Sequence, residues 1–118
     1  MGYSSRVGIC MSHEAAVLLD AKIRILTPAL KEDLTSLFEG ADVIKQDDSA
    51  RAWYWDGFRW YSSDSDIAFL EDYLAELGWD QYLFIRVGED LGDIDYHGGL
   101  WDNPFGMSLV RDIEFDEK

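Results

Sequence analysis

Apolar side chains first recur with a period of two. Tyr3, Ser5, Val7, Ile9 and Met11 fall on one side of an extended chain, and Cys10 falls on the other. That pattern predicts a strand over residues 3–11. The period changes at Ser12, an N-cap residue followed by His13 and Glu14 in a first helical turn. Ala15, Leu18, Leu19, Ile23 and Leu26 then recur at helical spacing, predicting a helix over 13–26. Thr27-Pro28 opens a second helix, because proline at the first helical position has no useful N–H to lose. Leu30, Leu34, Leu37 and Phe38 form its apolar stripe and Gly40 closes it.

Residues 43–45 read as a short strand turning at Asp47-Asp48. The aromatic stretch 50–62 reads as a hairpin turning at Asp56-Gly57, a dipeptide suited to the positive φ of a type I′ turn. That register puts Trp53, Trp55, Phe58 and Trp60 on one face, with Ala52, Tyr54, Arg59 and Tyr61 on the other. The tryptophan face is core if it meets the helices and a protein-binding patch if it is wet. Residues 63–66 supply caps and acids for a third helix carrying Ile67, Leu70, Tyr73, Leu74 and Leu77, and Gly78 ends it. Residues 82–87 read as a central strand, 88–106 as a long Gly- and Asp-rich loop, and 107–115 as a last strand. This order predicts one α+β domain over 1–118. Its expected form is a two-layer sandwich, a mostly antiparallel sheet with helices on one face, with a ferredoxin-like arrangement the nearest topology.

Composition supports a packed core. The 118 residues are 47% hydrophobic and 14% aromatic, and a chain of this length buries about two-thirds of its surface. Such content excludes a disordered acidic tail, despite a net charge of −14. No apolar run approaches the ~18 residues of a membrane span, and the start has no apolar signal-peptide core. The single cysteine, Cys10, excludes an internal disulfide and a multi-cysteine zinc site.

The charge is uneven. Residues 1–59 carry nine acids and seven bases, a net of −2; residues 60–118 carry fifteen acids and three bases, a net of −12. A field of this sign repels nucleic acid and anionic lipid and speeds encounter with basic partners. Fourteen charges match those on roughly 24 Å of duplex, about seven base pairs, so partial DNA mimicry is dimensionally open.

The chemistry-bearing motifs are few. No glycine-rich phosphate loop, nucleophile elbow or HExxH occurs. Cys10 and His13 lie close in sequence but lack an orienting third group. The reading is therefore non-enzymatic, with no catalytic residue, cofactor or metal assigned. Asp93, Asp95 and His97 would share one face of an extended segment, a donor set suited to Mn²⁺, Fe²⁺ or Zn²⁺; solvated loop charge is the preferred reading of them. The acidic, aromatic loop is the expected partner contact, through Glu89, Asp90, Asp93, Asp95, Tyr96, Trp101 and Asp102. Trp101 and Phe105 either pin this loop to the core or await a partner.

Three blocks carry a resemblance: Met1-Gly2-Tyr3-Ser4-Ser5-Arg6-Val7, Trp55-Asp56-Gly57-Phe58-Arg59-Trp60-Tyr61, and Phe84-Ile85-Arg86-Val87-Gly88-Glu89-Asp90. In this order they resemble M-G-Y-x-S-x-V, W-x-x-Φ-K/R-W-Y and F-I-R-I-G-E-D stretches of a family of small uncharacterised bacteriophage and prophage proteins. The resemblance implies an accessory protein of the bacterial cytoplasm and no particular reaction. The function expected is an inhibitor or modulator that binds a basic host protein, such as a nucleic-acid-binding defence protein. Three alternatives remain open: an immunity protein against a basic toxin nuclease, a metal-binding enzyme or sensor using the acidic loop, and a small virion or assembly component. A homodimer would be a further way to cover an exposed apolar face.

Overall fold

The rest of the sheet is built outward from β1 (Ser5–Ser12). Val7, Ile9, Cys10 and Met11 have no exposed surface, so both faces of this strand are covered. The computed structural model describes residues 4–90, 92–100 and 103–107. After β1 come α1 (His13–Arg24), α2 (Pro28–Glu39), β2 (Val43–Gln46), β3 (Ala50–Phe58) and α3 (Ser65–Glu76). A 3₁₀ turn (Trp79–Gln81), β4 (Tyr82–Gly88) and β5 (Ile94–Gly98) follow. The strands lie in the order β2-β3-β1-β4-β5, and every neighbouring pair is antiparallel. The protein is thus an α+β two-layer sandwich. Its β4-β1-β3-β2 portion has the order of a ferredoxin-like βαββαβ unit, extended by a second helix after β1 and by the edge strand β5.

Local signals set the helices. Ser12 Oγ accepts from Ala15 N at 3.2 Å as the N-cap of α1, Pro28 stands in the first turn of α2, and Gly40 is the α2 C-cap. Ala15, Ala16 and Leu19 of α1, Leu34 and Leu37 of α2, and Ile67, Leu70, Tyr73 and Leu74 of α3 pack on one face of the sheet. They meet Val7, Ile9, Met11, Trp53, Trp55, Tyr82 and Phe84 there. Two buried aromatic polar groups find backbone partners: Trp55 Nε1 donates to the Leu37 carbonyl at 2.9 Å, and the Tyr73 hydroxyl donates to the Ala15 carbonyl. Leu18, expected in the core stripe, is 48% exposed instead. Ala15, Ala16 and Leu19 take the face of α1 that meets the sheet, and Leu18 falls outside it.

The tryptophan face is core, but no hairpin turns at Asp56-Gly57. Residues through Phe58 continue a single strand, because β1 and β2 already occupy both its edges: Trp53 lies between Ile9 and Ile44 in register. Ser5 pairs with Phe58 and Val7 with Trp55, so Asp56 and Gly57 together oppose Arg6. This is a β-bulge, and Gly57 takes a φ of +66° within it. The extra residue shifts the alternation and returns Phe58 to the face of Trp53 and Trp55. The rings then run in a chain, with Phe38–Trp53 centroids at 4.7 Å, Trp55–Trp60 at 5.5 Å and Trp60–Phe84 at 5.8 Å.

The expected loop 88–106 also contains a strand. Residues 94–98 pair with β4, placing Tyr96 against Ile85 and Asp95 against Arg86. Beyond β5 the chain crosses the sheet face away from the helices. Leu100, Phe105 and Met107 pack there on Cys10, Ala50 and Ala52. Asn103 holds this turn: its Nδ2 donates to the Leu100 and Met107 carbonyls, and its Oδ1 accepts from Phe105 N and Met107 N. Phe105 therefore pins the segment to the core. Trp101 and the strand expected over 107–115, apart from Met107, lie outside the described residues.

Candidate functional site

Antiparallel pairing decides which acids meet. β1, β2 and β5 begin at one end of the sheet, where β3 and β4 finish: Ser5 stands abreast of Phe58 and Gly88. Asp42 precedes β2, donating its amide to the Tyr54 carbonyl at 2.8 Å and accepting Asp56 N on Oδ2 at 2.7 Å. Glu89 and Asp90 follow β4, and Asp93 precedes β5. Glu89 Oε2 accepts from Ser4 N at 2.6 Å, and the Asp90 carbonyl accepts from Asp93 N at 3.0 Å. After a short connection α3 opens with Asp64 as N-cap and Asp66 in its first turn, where the helix dipole favours negative charge. Arg6, Arg59 and Arg86 are the bases of these same segments.

Arg86 is already committed. Its Nε donates to Asp95 Oδ2 at 2.7 Å, its Nη2 donates to Asp93 Oδ1, and its Nη1 donates to Ser5 Oγ at 2.9 Å. These bonds, from Asp93 first and then Asp95, raise the guanidinium pKa further against the opposing effect of burial. Asp93, Asp95 and His97 do share one face, as period two requires. A neighbouring guanidinium holds the two carboxylates there, and the His97 ring stacks on Phe84 with centroids 6.1 Å apart. Among the described residues, no three His, Cys, Asp or Glu side chains are grouped to hold a metal ion.

The anticipated contact residues therefore divide. Glu89 and Asp90 are exposed at the sheet end. Asp93 and Asp95 lie on the helix side of the sheet, tied to Arg86. Tyr96, 40% exposed, falls on the opposite face. Trp101 and Asp102 lie outside the described residues. Asp42 and Asp56, from the nearly neutral half of the chain, join the acidic end unforeseen. Their signal was present in Asp56-Gly57 but pointed to a turn.

A cleft of about 280 Å³ opens between α3 and β4–β5, lined by Glu71, Leu74, Ala75, Tyr82, Phe84 and His97. Glu71 Oε2 is engaged by Trp60 Nε1 at 3.0 Å. Cys10 is buried on the other face, and burial first, then the charge of Asp47, pushes its thiol pKa up to about 11. That is the opposite of the activation a nucleophilic thiol needs. No helix among the described residues is long and apolar enough to cross a membrane. Comparison with protein-family models, curated proteins and solved structures finds no match.

Proposed function

We propose that this protein is a non-catalytic binding module that docks its acidic sheet end on a basic surface of another protein. The reading is carried by one observation. The ends of four strands, β2, β3, β4 and β5, bring Asp42, Asp56, Glu89, Asp90 and Asp93 to one end, where Arg86 is already shared between Asp93 and Asp95. Clustered carboxylates of this kind steer a basic partner and select against acidic ones. The phage setting rests on the resemblance of the three sequence blocks. In that setting the partner is a host protein, and a nucleic-acid-binding defence protein would meet the acidic end as a partial DNA mimic.

The test compares wild type with Asp56→Asn/Glu89→Gln/Asp90→Asn in capture from bacterial lysate. The triple variant leaves the Arg86 cluster intact, and a thermal melt of the variant beside wild type separates loss of the surface from loss of the fold. A partner held by wild type, lost by the variant and released near 0.5 M salt, where screening acts within about 5 Å, supports the reading. A partner retained through both changes overturns it.

A further inference from the structure

The cleft of about 280 Å³ between α3 and β4–β5 is built from two periodicities. Glu71, Leu74 and Ala75 come from one face of α3, at spacings of three and four. Tyr82 and Phe84 alternate along the helix side of β4, and His97 stands opposite Phe84 on β5. Leu74, Tyr82 and Phe84 are buried, while Ala75 and His97 are exposed at the rim. The lining is thus mainly apolar and aromatic.

Its polar groups are few and uncommitted. The buried Trp60 indole donates to Glu71 Oε2 at 3.0 Å. That donor is neutral, so it positions the carboxylate without cancelling its charge. Glu71 makes no ion pair among the described residues. Arg86, the next residue after Phe84 on this face of β4, is already shared by Asp93 and Asp95. The Tyr82 hydroxyl and the His97 ring nitrogens make no hydrogen bond among the described residues.

We propose that this cleft binds a small organic ammonium ion with an apolar body. A concave, mainly apolar lining with a few fixed polar groups is the usual form of a small-molecule site. The apolar body matches Leu74, Ala75 and the rings. The ammonium matches the Glu71 carboxylate and the π-electrons of Tyr82 and Phe84, which attract cations. An anion would meet an unbalanced carboxylate in a chain of net charge −14. A neutral ligand would cover that carboxylate without pairing it. The cleft lies at the start of β4, and Glu89 and Asp90 follow its far end. The site is therefore separate from the acidic sheet end.

An NMR titration of the full chain with phenethylamine, 2-phenylethanol and phenylacetate tests this. Phenethylamine is expected to bind at one saturable site. It should move the Trp60 indole N–H resonance, identified through Trp60→Phe, because ligand and indole share one carboxylate. It should bind roughly 10-fold more tightly than 2-phenylethanol, and phenylacetate should bind more weakly still. Glu71→Gln keeps an acceptor for Trp60 and should erase the preference for the amine. Ala75→Trp, at an exposed position of α3, should fill the cleft without entering the core and abolish binding. A wild type that does not bind phenethylamine in the millimolar range overturns the proposal. Equal affinity for amine and alcohol, an amine preference that survives Glu71→Gln, or binding that survives Ala75→Trp overturns it equally.

Discussion

Arg86 and Asp95 stand opposite each other in the β4–β5 ladder, and the guanidinium Nε donates to Asp95 Oδ2 at 2.7 Å. Asp93 takes the other side of the same guanidinium. One cation thereby locks the start of β5 onto the end of β4. It also turns two carboxylates of an apparently free acidic loop into structural groups.

Replacing Arg86 should loosen this end of the sheet. Arg86→Met removes the charge-assisted bonds and leaves Asp93 and Asp95 repelling each other, at an expected cost of about 1–3 kcal/mol. Asp95→Asn, which keeps an acceptor, should cost less. Urea unfolding measures both. An Arg86→Met protein as stable as wild type would show that the cluster does not hold the hairpin.

Two glycines should respond differently to alanine. At Gly98, φ is +93° and a β-carbon would lie 2.2 Å from the Tyr82 carbonyl oxygen, a backbone atom that cannot step aside. At Gly57, φ is +66° but the space is open. Gly57→Ala should therefore cost about 1–2 kcal/mol, the price of the left-handed conformation. Gly98→Ala should cost more and free the β5 amides to exchange. Equal melting temperatures for the two variants would refute this ordering.

The Asp47 turn should make stability sensitive to acid. Asp47 Oδ1 accepts from Ser49 N, Ser49 Oγ and Ala50 N at 2.8–3.0 Å. These bonds, the Ser49 amide first, hold its pKa below the usual carboxylate value. A group with a lowered folded pKa stabilises the fold fully above its unfolded pKa, about 4, and the contribution is lost as pH falls through the folded value. Asp47→Ala should thus be less stable than wild type at neutral pH, with the gap closing in acid. Thermal melts across pH would show a constant gap if the charge were irrelevant.

Cys10 should be silent to thiol reagents in the native protein. It has no exposed surface, and its thiol is held neutral by burial and by Asp47. Reaction with an aromatic disulfide should appear only with denaturant and follow global unfolding. Prompt labelling without denaturant would mean that the segment carrying Phe105 and Met107 does not cover this face.

The features that residues near in sequence control were readable without coordinates. Ser12 caps α1 through Ala15, three residues on. Pro28 and Gly40 bound α2, and the alternation of Val7, Ile9 and Met11 marks the core face of β1. Periodicity also pointed to the two-layer class, because three amphipathic helices and a set of strands have few ways to bury their apolar sides together. Asn103, whose side chain closes a turn with four hydrogen bonds, was hidden in a run of turn residues.

The local elements and the charge balance thus belong to the sequence itself, since caps, alternation and side-chain pKa values act over a few residues. Tertiary structure decided everything that depends on what lies across the sheet. Asp56-Gly57 became a bulge because β1 and β2 flank β3 on both edges. Residues 94–98 form an edge strand beside β4, where Arg86 on the neighbouring strand binds the carboxylates of Asp95 and of Asp93 just before it. Leu18 went to solvent because Ala15, Ala16 and Leu19 take the face of α1 that meets the sheet. Asp42 and Asp56 joined Glu89 and Asp90 because antiparallel pairing gathers strand ends that are far apart in the chain. Alternation along a strand fixes which residues face the core, but which strand lies beside it is decided by packing and hydrogen bonds between residues far apart in the chain.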